Sequence, residues 1–205
     1  MKPDHHIIVF AKKPELGRVK TRLAADIGDQ AALEFYDQTL MGLLARLAPV
    51  GDWRCWISLS PDDAVRQPAF WPDPFTAIPQ GTGDLGARMA HAFDALPPGP
   101  AVLVGADIPA IEPHHIKSAF QALDDHDTVF GPASDGGYWL VGSNRAFAAA
   151  EMFKNVRWST EHALADTLAN VTALNKSAAQ VATLQDIDDG EALRRWLTNV
   201  PSGGA

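Results

Sequence analysis

Short apolar runs rich in β-branched residues alternate along the chain with longer stretches whose apolar positions recur every three or four residues. Residues 7–11 form the first such run and predict a buried strand. After it, Leu33, Tyr36, Leu40, Leu43, Leu44 and Leu47 fall on one helical face, with Asp29 placed to cap the helix and Pro49 and Gly51 to end it. Trp53–Ser60 predicts a second strand and 75–79 a weaker third. A helix is expected over 84–96, closed by Pro97, Pro98 and Gly99, then a buried strand over 101–106. A helix over 113–123 carries proline in its first turn, where the missing N–H is tolerated. Residues 128–130 and 138–142 predict strands flanking a glycine-rich turn. Short helices near 145–152 and 160–169, a strand near 171–174 and a helix over 189–197 complete the series.

Strands separated by helical crossovers imply an α/β fold with a mainly parallel sheet and helices on both faces. The pattern predicts one domain over residues 1–200, with 201–205 a frayed tail. In such sheets ligands sit beyond the carboxyl ends of the strands, so chemistry is expected just after each strand.

Composition narrows the class. Hydrophobic residues make up 46% and charged residues 20%, as in a globular protein. The single cysteine, Cys55, excludes an internal disulfide, fits a reducing compartment and is expected as a small buried hydrophobe. No apolar run approaches a membrane span, and the run at 7–11 after Lys2 is too short for a signal peptide, so a cytoplasmic location and no membrane partner are expected. A formal net charge of -8 argues against broad binding to nucleic acid. Against that acidic background, Lys12, Lys13, Arg18, Lys20 and Arg22 lie within eleven residues, with Glu15 the one acid among them.

That basic segment runs Phe10-Ala11-Lys12-Lys13-Pro14-Glu15-Leu16-Gly17-Arg18-Val19-Lys20-Thr21-Arg22-Leu23. It follows strand one, where glycine lets a backbone approach an anion and lysine and arginine neutralise it. Its spacing is not that of a P-loop, since the glycines that motif requires fall on Val19 and Pro14. Gly81-Thr82-Gly83-Asp84-Leu85-Gly86 matches a dinucleotide fingerprint but follows the third strand rather than the first, which points to contact with some other nucleotide. Asp107, at the end of a buried strand, suits a hard cation such as Mg²⁺, or else caps the turn before Pro109. Asp135 in Ser134-Asp135-Gly136-Gly137-Tyr138-Trp139 either orients an acceptor substrate or belongs to an ordinary hairpin turn. Ser159 or Thr160 is placed to cap a helix, and Asp186, Asp188 and Asp189 to supply a second metal ligand or cap the last helix. His114 and His115 lack metal-ligand spacing, and no nucleophile elbow recommends hydrolase chemistry.

Together the segments 10–23, 83–89, 105–109 and 131–140, with Trp158-Ser159-Thr160 and Asp186-Ile187-Asp188, resemble an uncharacterised bacterial family of the nucleotide-diphospho-sugar transferase superfamily. The resemblance implies a three-layer, Rossmann-like glycosyltransferase-A fold with a mixed, mainly parallel sheet. The basic first loop is similar to that of phospholactate guanylyltransferase and molybdenum cofactor nucleotidyltransferases, where it holds a triphosphate. Gln80 and Leu85-Gly86 resemble the segment that contacts the base in sugar-phosphate nucleotidyltransferases, and Asp107 matches their metal-binding aspartate. Two departures stand out: Asp107 is followed by Ile-Pro rather than completing Asp-x-Asp, and Asp186-Ile187-Asp188 continues Asp-Gly where relatives tend to have Thr-Pro.

The resulting expectation is a metal-dependent nucleotidyl transfer from a nucleoside triphosphate to a small phosphorylated or hydroxyl acceptor, with release of pyrophosphate. Phe10, Ala11, Lys12, Gly17, Lys20, Arg22, Gln80, Leu85 and Gly86 are expected on the nucleotide, and Asp107 and Asp188 on Mg²⁺ or Mn²⁺. Asp135, Gly136, Tyr138 and Trp158 are expected at the acceptor, with Lys20, Arg22 and Asp135 serving catalysis. Glycosyl transfer from a nucleotide-sugar is the alternative, and a non-catalytic nucleotide-binding domain the alternative of another class.

Overall fold

The computed structural model describes residues 5–48, 53–67 and 71–199; the expected helix end at Pro49 and Gly51 and the tail at 201–205 lie outside them. Seven strands form one sheet in the order β3-β2-β1-β4-β6-β5-β7. They are β1 (His5–Lys12), β2 (Trp53–Ser60), β3 (Thr76–Pro79), β4 (Ala101–Gly105), β5 (Thr128–Pro132), β6 (Tyr138–Ser143) and β7 (Ala178–Gln180). β1 pairs in parallel with β2 and β4, β2 with β3, and β5 with β7; β6 runs antiparallel to both β4 and β5. The expected mixed, mainly parallel α/β sheet is the observed one.

The helices are α1 (Thr21–Ile27), α2 (Asp29–Leu47), α3 (Leu85–Asp94), α4 (Pro113–Asp125), α5 (Ala149–Met152), α6 (Ala163–Ala173) and α7 (Gly190–Asn199), with a short 3-10 helix at Asp62–Arg66. Because alternate strand residues point to opposite faces, Ile7, Val9 and Ala11 pack with α2 and α4, while Ile8 packs with α3, α5 and α6. Leu40, Leu43, Leu44 and Leu47 of α2 are fully buried. Each such leucine stabilises the fold by about 1.5–3 kcal/mol relative to exposure.

Several elements differ from the sequence pattern for physical reasons. Residues 171–174 are not a strand: Ala163, Thr167 and Val171 recur every four residues as one buried face of α6, and a four-residue apolar run cannot be told from a helix end. The strand falls later, at β7. Asp29 is not the cap of α2. An unexpected helix, α1, occupies the end of the basic segment, and Gly28, with φ 89°, closes α1 and opens α2. Asp29 still places its charge in the first turn, where the helix dipole favours it. The expected helix over 145–152 shrinks to α5, because Arg145 takes a left-handed backbone and its guanidinium donates to the carbonyls of Leu96 and Pro97.

Candidate active site

The carboxyl ends of β1, β3, β4 and β5 and the amino end of β6 open on one cavity of about 580 Å³. The C-terminal segment closes its far side. After β7 the chain runs alongside the β5–β6 turn, where Leu184 N–H donates to Pro132 O at 3.1 Å, and so carries Asp186 and Asp188 to the cavity wall.

At the centre is a lysine held by two carboxylates. Lys20 Nζ lies 2.8 Å from Asp188 Oδ1 and 3.3 Å from Asp107 Oδ2. Its side chain is only 3% exposed, while the carboxylates are 48% and 43% exposed. Burial works to lower the pKa of this ammonium, but Asp107 and Asp188 outweigh it and hold the pKa above its ordinary value. The Lys20 backbone is left-handed (φ 48°, ψ 43°), a conformation uncommon outside glycine and asparagine, which turns the chain into α1. Arg22 Nη1 stands 3.7 Å from Asp188 Oδ2 on a mostly exposed side chain. Asp189 does the capping foreseen for this cluster, accepting from Ala192 N–H at 2.7 Å.

Tyr36 fixes the end of β1: its hydroxyl donates to Lys12 O and accepts from Lys12 N–H, both at 2.9 Å. Burial first, then the charge of Asp107, pushes its phenol pKa far up, so it stays a neutral donor. Gln80 is 1% exposed and its amide donates to Ala11 O (3.0 Å) and Ser58 O (2.9 Å), stapling the end of β3 to β1 and β2. These two bonds fix the amide orientation and leave the Gln80 carbonyl without a partner among the described residues.

Arg88 of α3, unassigned by sequence reasoning, lies half-buried in the same wall with its guanidinium 5.5 Å from the Phe10 ring centroid. Burial lowers its pKa and the charge of Asp62 opposes that. No side-chain hydrogen bond or ion pair within 4.0 Å engages it among the described residues. A half-buried guanidinium on an aromatic face, with its donors free, is suited to an anion or a carbonyl edge.

The opposite side of the cavity is acidic and aromatic. Asp135 Oδ1 accepts from Gly137 N–H at 2.9 Å in the turn between β5 and β6. Asp186 is pushed above the usual carboxyl range by burial, then by Asp188 and Asp135 nearby. Tyr138 stands edge-on to Phe130 and Trp158, with ring centroids 5.5 and 6.4 Å away, and burial raises its phenol pKa. The buried Trp158 indole N–H has no partner among the described residues.

Of the residues singled out from sequence, Phe10, Ala11, Lys12, Lys20, Gln80, Leu85, Asp107, Asp135, Tyr138, Trp158 and Asp188 line this one cavity. Four lie outside its lining. Gly17 is in the outer loop, and Arg22 is at the rim. Gly86 is packed so closely that a Cβ would come within 2.7 Å of Trp158 and 2.8 Å of Phe153. Gly136, with φ 86°, leaves no room for a Cβ, which would meet Glu161 O at 2.2 Å. Asp186, foreseen in the acid cluster as a metal ligand or cap, lines the wall as well, and sequence reasoning missed Arg88 and Tyr36 as parts of it. Arg88 stood within the motif 83–89, three residues after Leu85, and helical spacing was the signal that it shares Leu85's face.

Among the described residues no group of three His, Cys, Asp or Glu side chains is arranged to hold a metal ion. Two carboxylates converging on one point suit Mg²⁺, which keeps several waters and takes its remaining oxygens from substrate phosphates. Asp107 and Asp188 fit that donor set.

A model of the family described as uncharacterized protein conserved in bacteria (DUF2064) matches residues 43–160. The chain belongs to this family. A candidate nucleotide-diphospho-sugar transferase from Desulfovibrio desulfuricans G20 is 29% identical, with a TM-score of 0.87 over 99% of this chain and 90% of that one. CMP:2-keto-3-deoxy-manno-octonic acid synthetase in complex with CTP is 12% identical, with a TM-score of 0.59 over 95% of this chain and 97% of that one. Rv0371c from Mycobacterium tuberculosis H37Rv, in complex with manganese, is 17% identical, with a TM-score of 0.57 over 97% of this chain and 100% of that one. The last two share the fold at a level of identity that speaks for nothing finer. No curated protein matches the chain. Among the described residues no helix is long and apolar enough to cross a membrane.

Proposed function

We propose that this chain is a metal-dependent, nucleotide-using transferase that moves a nucleotidyl group from a nucleoside triphosphate to a small acceptor. The observation that carries the proposal is the convergence of Lys20, Asp107 and Asp188 at the carboxyl ends of β1 and β4. The manganese and CTP bound by two proteins of the same fold support it. Asp107 and Asp188 would hold the metal, which when bound neutralises phosphate charge. Lys20, Lys12 and the rim guanidinium of Arg22 would bind the phosphates by charge-assisted hydrogen bonds. Phe10, Arg88 and Leu85 would hold the rest of the nucleotide.

An acceptor hydroxyl oxygen would form a bond to the α-phosphorus as the α–β bridging bond breaks, and the pair on that bridging oxygen would leave with pyrophosphate. The hydroxyl proton would pass to the Asp135 carboxylate. The three lysines and arginines of the wall, Lys12, Lys20 and Arg88, stand on the β1–β3 side or at the centre, whereas Asp135 and Asp186 stand on the β5–β6 side, where the acceptor would enter. A phosphorylated acceptor would meet like charge there, so a hydroxyl acceptor fits better.

Glycosyl transfer is the second reading, favoured by the description of the 29%-identical relative and by the same acidic acceptor side. One experiment separates the two. The protein is heated with nucleoside triphosphates and with nucleotide-sugars, each with Mg²⁺ or Mn²⁺, and pyrophosphate or nucleoside diphosphate release is followed with a panel of hydroxyl acceptors. Metal-dependent stabilisation by a triphosphate, about 2.7 kcal/mol at a hundredfold excess over Kd, together with pyrophosphate release, is expected. Diphosphate release from a nucleotide-sugar would replace this proposal with glycosyl transfer. Binding without turnover would leave a non-catalytic nucleotide-binding domain.

A further inference from the structure

Two carboxylates that bind a divalent cation must first lose whatever cation already neutralises them. Here that cation belongs to the chain. Lys20 Nζ stands between Asp188 Oδ1 at 2.8 Å and Asp107 Oδ2 at 3.3 Å, on a side chain 3% exposed. A metal ion bound at 2.0–2.1 Å to the same oxygens, typical for Mg²⁺, would lie in the place the ammonium occupies. The two charges cannot share it. If the metal enters alone, Lys20 loses two charge-assisted contacts and remains a buried ammonium without a partner, which is costly.

We infer that Lys20 is a resident counter-cation that makes metal binding conditional on nucleotide phosphates, which offer the displaced ammonium new anionic partners. The inference rests on Asp107 and Asp188 being the metal ligands of the proposed transferase. It adds an order to their use: metal and phosphate enter together, and neither binds well without the other. By linkage, the factor by which phosphate raises metal affinity equals the factor by which metal raises nucleotide affinity. The arrangement also keeps the site closed to free divalent cations between turnovers, although its carboxylates are nearly half exposed.

Mn²⁺ titration of the full chain, read by the electron paramagnetic resonance of free Mn²⁺ and with no nucleotide present, tests the first half. Lys20→Asn removes the ammonium and places at φ 48° a residue that tolerates the left-handed region. Lys20→Gln is the second variant should the first fold poorly, and Lys20→Arg keeps the charge. Both neutral variants are expected to bind Mn²⁺ about tenfold or more tightly than wild type, within the usual range for one coupled pair of sites. Lys20→Arg should stay close to wild type. The gain should vanish in Lys20→Asn/Asp107→Asn. If the neutral variants bind Mn²⁺ no better than wild type while Asp107→Asn still weakens binding, the metal ligands stand and the role given to Lys20 is wrong. If no variant binds Mn²⁺, both fall.

Thermal shifts test the second half, with Mn²⁺ and the four common nucleoside triphosphates, one at a time. In wild type the shift from the effective pair should exceed the sum of the separate shifts, and in Lys20→Asn that excess should shrink to what direct metal–phosphate contact leaves. Additive shifts in wild type overturn the conditional binding. Absence of any triphosphate shift removes the transferase proposal instead, and leaves the metal titration to judge Lys20 by itself.

Discussion

The two sides of the cavity come from one sheet but from different chain geometry. On one side, β3, β2, β1 and β4 run parallel, and each strand delivers its loop to the same edge. The end of β1 supplies Phe10 and Lys12, the loops supply Lys20 and Gln80, and α3 adds Arg88. On the other side β6 runs antiparallel between β4 and β5, and β7 joins at the far edge. Its wall comes from a hairpin turn, the start of α6 and a C-terminal segment returning some fifty residues after the hairpin. The first side is basic and suited to phosphate; the second is acidic and aromatic. Asp107, at the end of β4, is the seam between them.

Breaking the seam should have the largest effect. Asp107→Asn is nearly isosteric but loses the charge that pairs with Lys20 and that would hold a metal in the proposed reaction. Turnover is expected to fall at least about a hundredfold, the scale of one deleted electrostatic contact to a transition state. The melting temperature should stay within a few degrees, since the side chain is half exposed. Wild-type rates in this variant would remove Asp107 from the chemistry.

The next largest effect separates the sides. Arg88→Met keeps the apolar contact with Phe10 and removes the guanidinium. Nucleotide Kd should rise about ten- to a hundredfold, matching the roughly 1.5–3 kcal/mol of a hydrogen bond to a charged group. Acceptor KM should hardly change. An effect on acceptor KM alone would move Arg88 to the other side of the cavity.

This asymmetry also marks what could be read from sequence. In the parallel half β1, β2 and β4 were self-contained apolar runs, so 7–11, Trp53–Ser60 and 101–106 predicted them closely. The clustering of Lys12, Lys20 and Arg22 pointed to the basic side of the cavity, which Lys12 and Lys20 line. Yet the pairing of Lys20 with Asp188 joins positions 168 residues apart, and no local pattern carries it. The second half defeated periodicity because its elements are short. Val171 to Leu174 looked like a strand because its apolar residues continue the buried face of α6, and β7, with two half-buried alanines and an exposed Gln180, carries almost no apolar signal. Arg88 was overlooked for a different reason: a lone arginine on a helix is usually a solvated residue, and only the fold shows it against Phe10.

A smaller effect, on stability, should appear only on the hairpin side. Gly136→Ala puts a Cβ at φ 86° where Glu161 O would be 2.2 Å away, and Gly136 O accepts from Leu164 N–H at 3.1 Å. The cost is expected at about 2 kcal/mol, from the left-handed strain and the displacement of the α6 entrance. In a chain of this size that lowers the melting temperature by roughly 4–8 °C. Nucleotide affinity should persist in the surviving folded protein. A loss of nucleotide binding out of proportion to stability would mean that the two sides are coupled.

Apart from the fall in turnover that losing a proton-accepting carboxylate would bring with every acceptor, the smallest effect is on acceptor preference, and it tests the acidic character of the β5–β6 side. Asp135→Asn keeps the turn, because the amide oxygen can still accept from Gly137 N–H, and removes one negative charge. If that charge disfavours phosphorylated acceptors, the preference for a hydroxyl acceptor over its phosphorylated analogue should narrow. Asp135 is exposed, so water screens it. Two unit charges 4 Å apart in water interact by about 1 kcal/mol, which limits the change in preference to roughly fivefold. The shift should shrink further as ionic strength rises, because contacts between exposed charges are screened over about 10 Å at 0.1 M salt. The measurement is the ratio of kcat/KM for the two acceptors, in wild type and variant, at low and high salt. A ratio unchanged at both would mean that the acceptor's charged groups lie outside the reach of Asp135, and Asp186, nearer the metal carboxylates, would then be the residue that sets acceptor charge.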